Sequence, residues 1–428
     1  MTDATAPAQP ESYATGGALY RLVWKWHFLA SLYVLPFMAM LAVTGGIYLY
    51  KPQIENWLYA DYMHVTQTGP ALPLEIQVDM VRAEHGITRL RGITQYDDPT
   101  RSTLIEFNDA EKTRSYAWVN PYSGEVLGAT ARDDMPMRIL RKFHGELLLG
   151  KTGTKFVELA AHWAVVMFIT GAYLWWPRGQ RSLTKALSPP KGSPSRGRQW
   201  WRETHMFTGF LAVVLVVPIL ISGLPWTDVW GGGLSQIQKA TNQSSQSMRF
   251  RGAPKSANNT GESVAYEAVL AIAREQGLAA PYEMRPPRKS DDAFWIRSAS
   301  TQRQEQTELV IDQYSGQILK RVDFADQPIV AKTVSYGISF HQGELYGTLN
   351  LVQNTIAAVL ALLLSITGFV AWWARKPAGS LGVPKAPDAA LSPAMIVLIV
   401  ALSLLFPLVG ASLIVALLID WAILSRLR

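Results

Sequence analysis

The chain has 428 residues, 49% of them hydrophobic, a formal net charge of +7 and no cysteine. Without thiols there can be no disulfide, no cysteine-ligated zinc or iron–sulfur centre and no thioether-linked haem, so a redox centre would have to rest on histidine or be held noncovalently. A slightly positive mean hydropathy of +0.08, together with long uncharged runs, points to a membrane protein instead of two or three soluble domains.

In chain order, residues 1–20 have neither the basic start nor the apolar centre of a cleavable signal and are expected to form a cytoplasmic tail. Residues 21–50 are the first span, with the uncharged run Phe28 to Tyr50. Residues 51–143 read as a small outer module: a helix over "LEIQVDMVRAEHG", then strands in "RSTLIEFND" and "RSYAWVNPYSGEVLGAT". Residues 144–177 hold an H-G-E-L element and the second span, Leu159 to Trp176. Arg178, Arg181, Lys185, Lys191, Arg196, Arg198 and Arg202 crowd the linker 178–203, which the positive-inside rule places in the cytoplasm.

The third span is 204–226, and residues 227–340 form a second outer module. Its helix is expected over Gly261 to Gln276 behind a capping Ser263, with two strands in "TELVIDQYSGQILKRVDF". Residues 341–374 carry the second H-G-E-L-like element and the fourth span, Leu351 to Trp373; 375–392 is a basic cytoplasmic loop. The last apolar run, 393–424, contains Pro407 and counts as one span, kinked, tilted or re-entrant. As one plain span it would leave the terminal "SRLR" outside, against the charge rule. The expected fold is a membrane α-helical bundle of four core spans plus this C-terminal segment, with two small α+β modules on the outer side.

An internal duplication underlies this order. "FHGELLLGKTG" and "FHQGELYGTLN" align His144 with His341, "VNPYSGEVLG" aligns with "IDQYSGQILK", and the first and third spans align His27 with His205 and Thr44-Gly45 with Ser222-Gly223. Thr170-Gly171 likewise matches Thr367-Gly368. The shift is 178 residues at the first pair and 197 at the second, so the second outer segment has grown by nineteen. Both halves enter the membrane in the same direction, which predicts a two-fold axis along its normal.

Of the seven histidines, His64 and His85 have no partner at ligand spacing and read as surface or packing residues. His27 and His205 open the first and third spans; His144 and His341 precede the second and fourth on the outer side. One interfacial histidine could simply anchor to headgroups, but two at equivalent depth can supply both axial nitrogens to one iron porphyrin. Glu146 and Glu344 could orient the outer imidazoles through their second ring nitrogens, contact a haem propionate's partner, or favour a helix start. His162, inside the second span, has Val359 as its repeat equivalent. It reads equally as an alternative axial ligand, a proton-handling residue or a core histidine.

Taken together, "WKWHFLASLYVLPFMAMLAVTGGIYLYKPQIE", "PYSGEVLG", "FHGELLLGKTG", "TGAYLWWPRG" and "GLPWTDVWG" resemble the PepSY-associated transmembrane family, iron-regulated inner-membrane proteins of Gram-negative bacteria that include siderophore-iron reductases. The resemblance covers nearly the whole chain. It implies two small periplasmic α+β PepSY-like modules on the helical bundle, two noncovalent b-type haems, with His27, His144, His205 and His341 as ligands, and electron transfer from the cytoplasmic side to a periplasmic ferric siderophore. The repeat axis suggests the pairs His27 with His205 and His144 with His341; His162 could displace one outer ligand.

No dinucleotide or flavin motif is present, so the electron donor would be a separate cytoplasmic protein, a quinol or a soluble reductant. The basic residues flank spans and form no nucleic-acid face. Two rival readings stand beside the reductase. A non-enzymatic siderophore or iron permease or docking module would have almost no intramembrane carboxylate to couple ions, and a PepSY-type regulator of a periplasmic protease would leave the four histidines unexplained.

Overall fold

The computed structural model describes residues 17–178, 182–247, 252–256, 261–385 and 391–427; most of the N-terminal tail, Arg181 and Arg428 lie outside these. The first half runs α1 (Ala18–Tyr48), α2 (Lys51–Leu58), α3 (Ala60–Met63), α4 (Leu74–His85), β1 (Arg89–Gln95), β2 (Thr103–Asn108), β3 (Arg114–Val119), β4 (Val126–Ala131), α5 (Pro136–Glu146), α6 (Gly150–Trp175) and α7 (Leu183–Ala186). The second runs α8 (Arg198–Gly223), α9 (Trp230–Ala240), α10 (Tyr266–Glu275), β5 (Tyr282–Arg285), β6 (Phe294–Ser298), β7 (Thr307–Ile311), β8 (Ile318–Asp323), α11 (Ile329–His341), α12 (Thr348–Trp373), α13 (Pro393–Leu405) and α14 (Pro407–Leu427). Two compact units result: Met1–Val43, Lys151–Trp230 and Thr355–Arg428 form one, Thr44–Gly150 and Gly231–Asn354 the other.

The first unit is built on four helices long and apolar enough to cross a membrane: Ala18–Tyr48, Gly150–Trp175, Arg198–Trp226 and Thr348–Trp373. The protein is a membrane protein. These helices begin before the uncharged runs, because hydrogen bonding along a helix continues through polar turns such as those holding Lys25, Lys155 and Arg202. Ala42, Ala164, Ala212, Ala357 and Ala361 recur where the helices meet, around Val34, Met38, Phe168 and Val216. Small side chains let backbones approach and gain dispersion contacts where no hydrophobic drive separates helix from lipid.

The last apolar run is two helices. Phe406 and Pro407 break it, and a Cβ added at Gly410 would lie 2.9 Å from Cβ of Ser403. A continuous helix would separate residues seven apart by about 10 Å, so the chain bends sharply here. Helix α13, at 13 residues, reaches only about 20 Å, short of the roughly 30 Å hydrocarbon core. Phe406 and Val409, at the bend, are buried against Val165 and Leu224, and Trp163 donates its indole N–H to Ser412 Oγ at 3.1 Å.

In the second unit the two outer segments make one antiparallel sheet of eight strands, in the order β4-β3-β2-β1-β5-β6-β7-β8. The expected separate modules are thus fused: β1 pairs with β5 through Ile93 with Met284, Thr94 with Glu283 and Gln95 with Tyr282. Each would otherwise present an unpaired backbone edge, and pairing removes both edges at once. One face of the sheet packs Ile93, Ile105, Phe107, Met284, Phe294, Ile296 and Leu309 against Val78 and Val81 of α4 and Val269 and Ala273 of α10.

The two Y-S-G turns close the same way. Asn120 and Asp312 each accept from the amide two residues on at 2.9 Å, and Gly124 and Gly316 take the positive φ the turn needs, 77° and 70°. Ser263 is not the cap of α10. Instead Glu75 of α4 accepts the Tyr266 N–H at 2.5 Å and Glu267 of α10 accepts the Leu74 N–H. Each helix start is capped by the other helix, which satisfies orphan amides at both N-termini.

Hydrogen exchange tests the fused sheet. Amides of β1 and β5 should exchange as slowly as those of β2 and β6; exchange at the fast rate of edge strands would mean two separate modules.

Candidate functional site

In the first unit, His27 lies on α1 and His205 on α8, both near the helix ends that face the basic linkers. The two imidazoles are within electrostatic range of each other. His27 Nδ1 is 2.9 Å from Thr170 Oγ1. The Thr170 hydroxyl already donates to backbone carbonyls of its own helix, Val166 at 3.0 Å and Met167 at 3.1 Å. Its oxygen is therefore left to accept, and the proton between the two groups belongs to Nδ1.

His205 repeats the arrangement. Its Nδ1 lies 3.1 Å from the Leu364 carbonyl oxygen and 3.3 Å from Thr367 Oγ1, and Thr367 donates to Leu363 O at 2.7 Å. A carbonyl can only accept, so His205 also carries its proton on Nδ1. In a neutral imidazole that choice leaves the lone pair on Nε2.

The second unit holds the other two. His144, near the end of α5, places Nδ1 2.8 Å from Thr44 Oγ1. It lies within the field of His341, which ends α11. Enclosure by protein, with the His341 charge adding to it, holds His144 down to about 4, so it is a neutral imidazole at neutral pH, as a metal ligand must be. Around His341, Asn354 Nδ2 donates to the carbonyls of Phe340 at 2.5 Å and His341 at 3.3 Å, and to Asn354 Oδ1 Asn350 donates at 3.2 Å. These two buried asparagines fix the corner from which His341 projects.

Glycine follows threonine each time for a steric reason. A Cβ on Gly171 would sit 3.3 Å from His27 Cε1, one on Gly368 3.0 Å from His205 Cε1, and one on Gly45 3.1 Å from His144 Cε1. Threonine fixes the ring nitrogen and glycine makes room for the ring edge. The sequence reading aligned these Thr-Gly pairs between halves without assigning them a task; their signal was recurrence of one dipeptide in three spans that each face a histidine.

Glu146 does not orient His144. It pairs with Arg141 at 3.2 Å, and Thr44 takes the ring nitrogen. Glu344 is half-buried near Arg303 and Lys51, and its burial, outweighing both cations, raises its carboxyl above the usual range. His162 differs from the other four. It is 0% exposed, its ring lies 4.8 Å from that of Phe406, and its neighbour is Glu158, with Nε2 to Oε1 at 3.8 Å. His64 bonds Asn56 at 2.8 Å, and His85 lies against Phe107, surface and packing roles.

The donor set per unit is two histidines, and among the described residues no group of three or more His, Asp or Glu could cage a bare metal ion. A pair of imidazoles matches a metal whose other four positions are filled by a planar macrocycle, as in bis-histidine haem. The residues present fit that group.

A family model described as the PepSY-associated TM region matches residues 24–375. No curated protein matches the chain.

Thr170→Val keeps the shape of the side chain but removes the acceptor for His27 Nδ1–H. Haem transfer to an acceptor apoprotein should show retention weakened by about 10–100-fold, the usual cost of losing such a partner, with Thr170→Ser close to wild type. Equal retention in the valine variant would remove the threonine from the site.

Proposed function

Because the chain belongs to the PepSY-associated transmembrane family, we propose that it is an inner-membrane di-haem oxidoreductase that carries electrons from the cytoplasmic side to a periplasmic ferric siderophore. The observation that carries the reading is the matched placement of His27 and His205, each with Nδ1 set against an oxygen acceptor of a neighbouring helix, which leaves Nε2 to face a ligand. Packing or headgroup anchoring does not require that arrangement in two histidines of one unit.

In this reading His27 and His205 hold the inner haem, and His144 and His341 the outer one. Bound haem supplies a one-electron iron couple whose potential is set by its axial ligands and burial. The protein's part is to present Nε2 of each imidazole in one orientation, through Thr170, Thr367 and Thr44, and to keep His144 unprotonated. The electron source is a hydroquinone or a reduced soluble carrier, since no nucleotide-binding motif lies in the sequence. Siderophore oxygens are hard ligands that favour Fe(III), so one electron weakens their hold on the metal and frees it as Fe(II).

Haem analysis of detergent-purified protein should give two b-type haems per chain with low-spin bis-histidine bands. His27→Ala and His341→Ala should each lose about one, and a ferric siderophore should reoxidise the dithionite-reduced wild type. Absence of haem after haem-replete expression would overturn the proposal; haem without siderophore-dependent reoxidation would leave an electron carrier with another acceptor.

A further inference from the structure

Glu158 and His162 stand one helical turn apart on α6, and both side chains are 0% exposed. Glu158 is fully engaged: Oε2 accepts the Val229 N–H at 3.0 Å and Oε1 the Trp230 N–H at 2.7 Å, at the start of the 11-residue helix α9. Both oxygens of the Glu158 side chain therefore face backbone donors at a helix N-terminus, a setting that suits a carboxylate. His162 is the opposite case, since neither Nδ1 nor Nε2 has a hydrogen-bond partner. Its Nε2 lies 3.8 Å from Glu158 Oε1, too far for a hydrogen bond.

A neutral imidazole therefore wastes both an N–H and a lone pair in a closed apolar site, the arrangement native interiors avoid. The repeat shows it is dispensable for packing, because the equivalent residues of α12 are Thr355 and Val359. The site is satisfied in one other state. A doubly protonated ring would place a charged N–H toward Glu158, and closing the gap by about 1 Å would make a charge-assisted bond.

Around His162 the facing groups are few. Its own helix brings Glu158, and the bend between α13 and α14 brings the ring of Phe406, which packs in turn with Val409, Leu220, Leu224 and Leu402. Asp228, beside the amides that hold Glu158, is offset by Lys155 at 3.9 Å. Protonating His162 thus raises the charge of the pair by one unit. Eight residues further along α6, about 12 Å at 1.5 Å per residue, is Thr170, which holds His27. At that range in a membrane interior, adding an electron to the His27 centre favours adding a positive charge to the pair.

We propose that Glu158 and His162 form a redox-linked proton site, in which His162 takes one proton when the His27/His205 centre is reduced and releases it on reoxidation. This rests on the haem reading above. The electron comes from the hydroquinone or reduced carrier of the proposed reaction and ends on iron. The proton comes from water and ends on His162, with Nε2–H directed at Glu158 Oε1; no other bond is made or broken.

The test is an optical redox titration of the haem-loaded, detergent-purified protein between pH 6 and pH 9, using wild type, His162→Val and Glu158→Gln. In wild type one midpoint potential should fall as pH rises, by up to one proton per electron, and in His162→Val that slope should flatten while haem content and spectrum stay unchanged. Valine is already present at the equivalent position 359, and Glu158→Gln supplies a second flattened slope if the valine variant does not fold. Redox-induced infrared difference spectra should show imidazole and carboxylate bands that both variants lose. A slope that persists in the variants, as propionate titration would give, or a pH-independent wild type, overturns this inference and leaves the haem reading intact. A wild type without haem overturns both.

Discussion

An imidazole that is to offer the Nε2 lone pair to a metal inside a membrane must place its Nδ1 proton on some acceptor, and lipid provides none. In the haem reading, the rest of the first unit follows from that constraint. A threonine within a helix already donates its hydroxyl to a carbonyl of the preceding turn, as Thr170 and Thr367 do, so toward a neighbouring helix it can act only as an acceptor. It selects one tautomer without carrying charge into the bilayer. The glycine after it and the alanines between spans, Ala164, Ala212, Ala357 and Ala361, keep the helices close enough for such a bond to reach.

The second unit meets the same demand with different means. His144 leans on Thr44 of α1, whereas the region of His341 is tied down by Asn350 and Asn354 at the foot of α12. Both histidines end helices that leave one sheet, and the β1–β5 pairing makes that sheet a single body. With separate modules each histidine would move with its own support. The shared sheet and the reciprocal caps of α4 and α10 couple the two mounts, which is what a pair of ligands to one group requires.

Much of this was legible in the sequence because it depends on period and composition. Uncharged length gave four spans, alternation gave β2, β3, β7 and β8, and the repeated H-G-E-L element drew attention to His144 and His341. What escaped depended on contacts between distant segments. Nothing local says that β1 will pair with β5, or that Glu75 and not Ser263 will cap α10. The Thr-Gly pairs were visible as aligned letters, yet their role appears only when a neighbouring helix brings an imidazole to them. Of the roles open to Glu146, orienting His144 is not the one the structure shows: the two are close in sequence, but Arg141, one helical turn and a residue away, takes the carboxylate. The bend at Phe406 was only half foreseen, since Pro407 in an apolar helix can kink it gently or break it.

Where the halves differ is as informative as where they agree. Features present in both, the span-opening histidine and the Thr-Gly pair of the returning span, are the ones that the haem reading uses. Buried polar groups present in one half alone must be explained within that half. Asn350 and Asn354, whose equivalents are Gly153 and Val157, satisfy each other and a helix end, so their structural role accounts for them. Glu158 also has a structural role, capping α9. His162 has none: valine fills the same place in α12, Phe406 would pack as well on an apolar side chain, and neither ring nitrogen is used. A residue that costs stability in its resting state and whose packing an aliphatic side chain could supply is retained for another state, and for an imidazole beside a fixed carboxylate that state is the protonated one.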